Sequence, residues 1–369
     1  MKIVLVAGAR PNFPKIAPIA AELRKQPERF EALVVHTGQH YDYNLSQVFF
    51  DDLELPPPDF TLDARRDDPT AQMGDILVKF AGLLSSEAPD LVIVVGDTTS
   101  TVACALAAAS RGIAVGHVEA GLRSRDRTMP EEIHRMATDA VADMLFTYSA
   151  DADANLREEN VPETSIFRVG NVMIDTLMRF RDRASESDIL ARVGVPERGY
   201  VLVTMHRPAN VDDPVRLRGL VEALVEVSRR LPLVFPVHPR TRNRLEDSGL
   251  IDRLSSEPGV HLEEPVGYVE MLRLQASARL AMVDSGGIQE ETTVLGVPCL
   301  TMRQNTERPV TITEGTNRLV GCDGERVRRE ALAVLEDDAD ASSRPVPDLW
   351  DGRAAERLVQ VLSRGIVRR

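Results

Sequence analysis

Lysine is nearly missing from this chain of 369 residues, where it occurs only at positions 2, 15, 25 and 79. Arg and Lys together number 44 against 57 acidic residues, which leaves a formal net charge of -13. A nucleic-acid binder neutralises phosphates with a basic face, so no nucleic-acid partner is expected. No apolar run reaches the ~18 residues of a transmembrane helix, so no membrane partner is expected either. Met1-Lys2 leads straight into an apolar strand rather than a leader peptide, and the expected location is cytoplasmic. Cysteine is scarce: Cys104, Cys299 and Cys322 are odd in number and widely spaced, which fits neither a disulfide framework nor a zinc site. His36 and His40 are separated by Thr37-Gly38-Gln39, which reads as a loop, so no metal is expected from them. The Gly-x-Gly-x-x-Gly fingerprint is also missing after the first strand, where Gly8-Ala9-Arg10 stands instead. That disfavours NAD, and no cofactor is expected. There is no short-period repeat and no low-complexity tract.

What is present is an alternation of apolar strands and helical periods. At 43% hydrophobic and 27% charged the chain can bury a full core, and its length suits two. Ile3–Ala7, Ala32–Val35, Leu91–Val95, Ile113–Val118 and Met144–Phe146 read as buried parallel strands, with helical periods over Ile16–Arg24 and Ala103–Ala109. A fresh series starts at Tyr200–Thr204, continues through a helix over Pro214–Arg230, and adds strands at Leu233–Val237, Val260–Leu262, Leu280–Val283 and Pro298–Leu300. The expected fold is α/β, with two doubly wound Rossmann-like domains joined near residues 170 to 185. Ligands of such sheets lie beyond the carboxyl ends of the strands, which predicts a central cleft between the two domains.

The chemistry-bearing residues fall at those strand ends. Glu119 follows the apolar run Ile113–Val118, and Pro130 opens a helix whose first turn carries Glu131 and Glu132. Two acids at a strand end and a helix start suit acid/base work. Asp97, in Gly96-Asp97-Thr98-Thr99, is either a third acid or the cap of a helix beginning near Ser100. Gly8-Ala9-Arg10-Pro11 is a small-residue turn, either purely structural or a place where amides and Arg10 approach an anion, and Lys15 one helical turn later adds a phosphate or uronate contact. In Asp284-Ser285-Gly286-Gly287-Ile288-Gln289-Glu290-Glu291 a strand delivers Ser and two Gly to a helix start, a nucleotide-diphosphate site, with Glu291 placed to reach ribose hydroxyls and Glu290 directed elsewhere. His206 ends the first strand of the second domain and faces the expected cleft. His117 and His238, also at strand ends, serve core hydrogen bonding equally well. His134 reads as solvent-facing, and His261 carries no signal.

These residues together resemble the non-hydrolysing UDP-N-acetylglucosamine 2-epimerases. The resemblance runs through Gly8-Ala9-Arg10-Pro11 with Lys15, Gly38-Gln39-His40, Gly96-Asp97-Thr98-Thr99, His117 to Arg123, Pro130-Glu131-Glu132 with Arg135, Gly170-Asn171, Thr204 to Arg207, Asp284 to Glu291 and Thr306-Glu307-Arg308-Pro309. It implies the glycosyltransferase-B type of fold. The expected boundaries are residues 1–172 for a domain with most acid/base residues, 173–350 for a UDP-binding domain, and 351–369 for a last helix crossing back onto the first, over Trp350 to Val367.

The reaction implied is reversible inversion at sugar C2, giving UDP-N-acetylmannosamine for surface polysaccharide by anti elimination of UDP and re-addition, without metal or nicotinamide. By resemblance Asp97, Glu119 and Glu131 are the acid/base residues and His206 stabilises the leaving diphosphate. Arg10, Ser285, Gly286, Gly287 and Glu291 hold UDP, Arg135 belongs to the substrate site, and Met271 offers uracil a backbone contact. Lys15 and Arg308 stand nearby or at a second, regulatory nucleotide-sugar site, where the substrate would act as allosteric activator. A homodimer is implied.

This sequence departs from many relatives at Ala9, at Asn12-Phe13-Pro14 and in a short Arg125–Met129 loop. Relatives acting on 2,3-diacetamido uronic acid sugars share Gly-Ala-Arg-Pro and Met-Pro-Glu-Glu, which makes a 2-epimerase of such a UDP-sugar the alternative. A UDP-sugar glycosyltransferase and a non-catalytic nucleotide-sugar sensor are weaker rivals.

Overall fold

The structure, a computed structural model, describes residues 1–38, 53–337 and 345–369, so Gln39 and His40 lie outside it, as does the side chain of Arg10. The chain forms two compact units, Met1–Arg179 with Asp348–Arg369, and Phe180–Pro347.

The first unit holds strands β1 (Lys2–Ala7), β2 (Glu31–His36), β3 (Phe60–Thr61), β4 (Leu91–Val95), β5 (Ala114–Val118), β6 (Met144–Thr147) and β7 (Ile166–Arg168). They pair in the order β3-β2-β1-β4-β5-β6-β7, parallel throughout, with Val4 opposite Leu33 and Val94 opposite His117. A parallel sheet covered on both faces wants unbroken apolar strands, and Leu91 to Val95 are all buried. Strand β1 has β2 on one side and β4 on the other, so the order reverses there and the ligand-binding edge lies at the carboxyl ends of β1 and β4.

The second unit repeats the plan with β8 (Val201–Thr204), β9 (Leu233–Pro236), β10 (Val260–Glu263), β11 (Leu280–Val283), β12 (Cys299–Thr301) and β13 (Asn317–Leu319). Their order is β10-β9-β8-β11-β12-β13, again all parallel, and the reversal falls between β8 and β11, where Thr204 lies opposite Val283.

The last helix is shorter than its apolar period suggests, running Ala354–Leu362 instead of Trp350 to Val367. Trp350 stands before it, buried, and donates Nε1–H to the Tyr148 carbonyl at 3.0 Å. Asp175 begins this helix from outside, accepting from the Ala354 and Ala355 amides at 2.9 and 2.7 Å. The helix packs on Phe13–Arg24 with Leu358, Val359 and Leu362 buried. Helix Phe13–Arg24 itself contains Pro18, which has no N–H to give the Pro14 carbonyl one turn back. The Thr176 hydroxyl fills that vacancy at 2.5 Å, so a helix-breaking residue becomes an anchoring point.

Candidate functional site

In the first unit the turn after β1 is closed from within. Asn12 Oδ1 accepts from the amides of Gly8 and Ala9 at 3.1 and 2.9 Å, and Asn12 Nδ2 donates to the Val95 carbonyl at 3.2 Å. Those amides are therefore not open to an anion. Gly8 is needed for packing, because a Cβ there would lie 1.9 Å from Ser100 Oγ and 2.6 Å from Thr37 Oγ1, two hydroxyls that bond each other at 2.7 Å. Asn12 thus ties the ends of β1 and β4 together, and Lys15 follows on the helix that starts there.

Lys15 is buried and its Nζ meets Glu119 Oε2 at 2.5 Å. The other oxygen of Glu119, Oε1, is buried with no hydrogen-bond partner among the described residues. A buried carboxylate oxygen left unpaired is costly unless a ligand completes it. Glu119 also has φ 69°, the left-handed region, a strain that persists only where neighbours enforce it and that gathers at functional sites. The enforcing neighbours are visible. Asp139 Oδ2 accepts from the Gly121 amide at 3.1 Å, Asp139 Oδ1 pairs with His117 Nδ1 at 2.6 Å, and His117 Nε2 reaches the Gly96 carbonyl at 2.8 Å. Burial alone would raise the Asp139 carboxyl, but His117 and Arg123 outweigh it and hold it below its usual value. Gly96 has φ 68°, and a Cβ there would crowd Lys15 Nζ at 3.1 Å and Glu119 Oε2 at 3.3 Å.

Asp97 follows Gly96 and pairs with Arg135, whose Nη1 also bonds Glu132 Oε2 at 2.6 Å. Glu132 is committed elsewhere too, accepting from the amides of Ser124 and Arg125, both at 2.9 Å. Glu131, its half-buried neighbour on the same first turn, makes no hydrogen bond or ion pair among the described residues. The helix is capped by Met129 and carries Pro130 at its start, so the two acids project from one turn in different directions: Glu132 inward to brace the loop, Glu131 outward and open. Asp97, Glu119 and Glu131 thus differ in state. One is paired to a guanidinium, one shares a lysine and keeps an oxygen unpaired, and one is open, which is the kind of contrast that lets carboxylates divide acid and base work.

In the second unit, β11 runs through Asp284 to Ser285, the cap of helix Gly286–Leu295, and the Ser285 hydroxyl caps no amide. The guanidinium of Arg308 lies over this helix start: a Cβ on Gly286 would meet Arg308 Nη1 at 2.5 Å and Cζ at 2.7 Å. Arg308 is buried and braced by two carboxylates, its Nε on Glu290 Oε1 at 2.7 Å and its Nη1 on Glu307, which also receives Arg303 Nη2 at 2.7 Å. A fixed guanidinium beside a helix start, whose first amides have no intrahelical acceptor, suits an anion. Glu290, read from sequence as directed elsewhere, is fully buried and is the brace of that cation. Glu291 accepts from the Tyr268 hydroxyl at 2.9 Å and from Gln275 Nε2 at 2.7 Å, and burial, only partly offset by these two donors, pushes its carboxyl up to about 7. His206 is partly exposed, with Nδ1 against Asp284 at 2.9 Å and its ring 5.4 Å from that of His238.

Other expectations meet different outcomes. Asp97 is not the helix cap: Thr98 is, accepting from the Thr101 amide at 3.4 Å. His134 is not a bare surface residue, since its Nδ1 meets the Asp97 carbonyl at 3.0 Å. His238 caps helix Pro239–Asp247 by accepting from the Arg240 amide at 3.2 Å. Met271 sits within helix Tyr268–Ala276, its amide bonded to the Gly267 carbonyl at 3.0 Å. Ser285 and Gly286 stand where Arg308 stands, and Gly287 follows in the same helix turn. Asp139 is a site-building residue that no local pattern marked, whereas Asn12, Asp284, Glu290 and Glu307 stood inside quoted segments without the bracing roles they prove to have. Among the described residues no cluster of His, Cys, Asp and Glu is arranged to hold a metal ion, and no helix is long and apolar enough to cross a membrane.

The sequence profile described as UDP-N-acetylglucosamine 2-epimerase matches residues 21–363. A UDP-N-acetylglucosamine 2-epimerase homolog of Methanococcus maripaludis is 43% identical, over 98% of this chain and 99% of its own. The UDP-2,3-diacetamido-2,3-dideoxy-D-glucuronate 2-epimerase of Pseudomonas aeruginosa is 38% identical over 99% of this chain and 100% of its own. Among solved structures, the Methanocaldococcus jannaschii UDP-GlcNAc 2-epimerase in complex with UDP-GlcNAc and UDP aligns with a TM-score of 0.91 at 38% identity, covering 99% of this chain and all of that one.

Proposed function

This chain belongs to the UDP-N-acetylglucosamine 2-epimerase family, a family of non-hydrolysing isomerases, and from that premise we propose that it inverts C2 of UDP-N-acetylglucosamine by expelling UDP and adding it back. The C2 hydrogen is not α to a carbonyl, so it cannot be removed by simple enolisation. Anti elimination avoids the difficulty. A base takes the C2 proton, the electron pair of that bond becomes the C1–C2 double bond, and the C1–O bond breaks with its pair on departing UDP. Return of UDP to C1 and of a proton to the opposite face of C2 gives UDP-N-acetylmannosamine.

Glu119 carries this reading: a strained backbone holds a buried carboxylate whose Oε1 has no partner among the described residues, which suits a proton-transfer group. Asp97 and Glu131 supply the second acid/base group, and Arg135 orients Asp97. In the second unit Arg308, Ser285, Gly286 and Gly287 suit the diphosphate, Glu291 the ribose, and His206 the charge that builds on the leaving phosphate. The first unit thus carries the proposed acid/base residues and the second the proposed nucleotide contacts, and family likeness adds Arg10 to the UDP-binding residues. A homodimer, activation by a second UDP-sugar, a cytoplasmic location and a supply of N-acetylmannosamine units for surface polysaccharide complete the proposal and rest on family likeness.

The diacetamido uronate alternative is supported by the Pseudomonas aeruginosa relative. Lys15, the cation that would meet a sugar carboxylate, pairs with Glu119 at 2.5 Å and keeps further ammonium donors, so the choice between the two substrates rests on direct assay. Both substrates should be offered separately to the enzyme and the products resolved by chromatography after long incubation. The proposal expects turnover of UDP-N-acetylglucosamine, with slow leakage of UDP and an equal amount of unsaturated acetamido sugar. UDP released with a saturated sugar would refute elimination.

A further inference from the structure

Arg308 is held at both ends. Its guanidinium is braced by Glu290 and Glu307, whereas its main chain is tied down by a separate run of hydrogen bonds in which no charged side chain takes part. The Arg308 amide donates to Thr306 Oγ1 at 3.2 Å, the Thr306 hydroxyl donates to Gln289 Oε1 at 2.8 Å, and Gln289 Nε2 donates to the Ser285 carbonyl at 3.1 Å. Every donor points the same way, from residue 308 back to the helix cap at 285, and bonds aligned in this manner polarise and strengthen one another.

Gln289 is the middle link, and it is fully buried. Its backbone is fixed independently, because its carbonyl receives Thr293 Oγ1 at 2.8 Å from its own helix and Asn317 Nδ2 at 3.2 Å from β13. The link asks for a primary amide, since one atom must donate to a carbonyl while the other accepts from a hydroxyl. Asparagine is one methylene shorter, glutamate would set an oxygen against the Ser285 carbonyl, and leucine makes neither bond. Glutamine alone meets both demands at this reach.

We infer that Gln289 is a positioning residue for the diphosphate of UDP: through Thr306 it fixes the main chain of Arg308 relative to the helix cap Ser285, and so sets where the guanidinium stands. The inference rests on the reading that this helix start and Arg308 receive that diphosphate. Gln289 is sealed inside the unit, so it acts on the ligand only through Arg308.

The test is titration calorimetry of UDP into the full chain, with urea unfolding run on each variant. Gln289→Leu keeps the bulk and removes both bonds, and Thr306→Val keeps the shape and removes the hydroxyl. Each should weaken UDP binding by about tenfold, the scale of one charge-assisted hydrogen bond. The double variant should bind no more than about threefold more weakly than either single one, because both cut the same chain. Thr306→Ser restores the hydroxyl and should bind UDP like wild type. In an Arg308→Met background Gln289→Leu should change UDP affinity by less than about twofold, whereas a general loosening of the unit would weaken binding in both backgrounds. Wild-type affinity in Gln289→Leu, or an equal loss with Arg308 and without it, overturns the inference. If Gln289→Leu or Arg308→Met does not fold, or Arg308→Met binds no UDP, the Thr306 pair decides: Thr306→Val equal to wild type, or Thr306→Ser as weak as Thr306→Val, refutes it. No binding of UDP by wild type overturns the underlying ligand reading and the inference with it, whereas binding indifferent to Gln289 overturns the inference alone.

Discussion

Gly286→Ala puts one methyl group where the second unit has no room for it. The added Cβ would sit 2.5 Å from Arg308 Nη1, 2.7 Å from Cζ and 3.0 Å from Nη2, so the guanidinium must retreat by about 1 Å to reach ordinary van der Waals contact. An exposed arginine would simply swing away. Arg308 is buried, with Nε 2.7 Å from Glu290 and Nη1 on Glu307, and any retreat loosens one of two buried carboxylates. Overpacking costs about 1–3 kcal/mol and full loss of a buried ionic partner about 3–5 kcal/mol, so a partial retreat should cost ~2–4 kcal/mol. The backbone itself would welcome alanine, since a helical position favours it over glycine by up to about 1 kcal/mol. The clash with Arg308 is therefore the whole penalty. Urea unfolding of Gly286→Ala should show the loss, with a fall of at least about tenfold in UDP affinity, the equivalent of ~1.4 kcal/mol. The same substitution in an Arg308→Met background should cost less than about 1 kcal/mol, giving a clear coupling in the double-mutant cycle. A Gly286→Ala enzyme within ~0.5 kcal/mol of wild type, or an equal penalty in both backgrounds, would refute the reasoning.

Two further outcomes are expected. Asp97→Asn, Glu119→Gln and Glu131→Gln should each keep the fold and lower turnover by ~10²–10⁴, the usual loss for an acid/base group, and steady-state rates unchanged in all three would rule out their role. Glu291 has a folded value of about 7 against 4.5 for an ordinary glutamate, so its protonated form is favoured by folding. Its contribution to stability is complete below 4.5 and is lost as the pH rises through about 7. Urea unfolding should therefore show wild type losing ~3 kcal/mol relative to Glu291→Gln between pH 4.5 and pH 8, at about 1.36 kcal/mol per unit, and a constant difference would contradict it.

Particular elements show what was legible in the sequence. Strands such as Leu91–Val95 announce themselves because a parallel strand buried on both faces is an unbroken apolar run. Phe60–Thr61, Ile166–Arg168 and Asn317–Leu319 are edge strands of two or three residues, too short for any periodicity to register. Asp97, Glu119 and Glu131 could be picked out because acids at strand ends and in first helical turns point to the edge where α/β sheets bind ligands. Their partners could not. Lys15 and Glu119 are 104 positions apart, and nothing near Lys15 shows that its charge is taken. Asn12 closes the turn whose amides looked open, and Glu290 proves to brace Arg308 from 18 positions away. Local spacing encodes which face a residue occupies. The long-range pairing that decides whether a polar group is free or spent emerges only on folding.

The most direct test of the central claim is a proton NMR time course of UDP-N-acetylglucosamine with the enzyme in deuterated buffer. Elimination and re-addition place a solvent-derived hydrogen at C2 each time the product forms, so the C2 signal should vanish from UDP-N-acetylmannosamine as that sugar appears, and from the remaining substrate as equilibrium is approached. Epimerisation that leaves the C2 hydrogen unexchanged, or no change in the sugar at all with active enzyme that binds UDP, would contradict it.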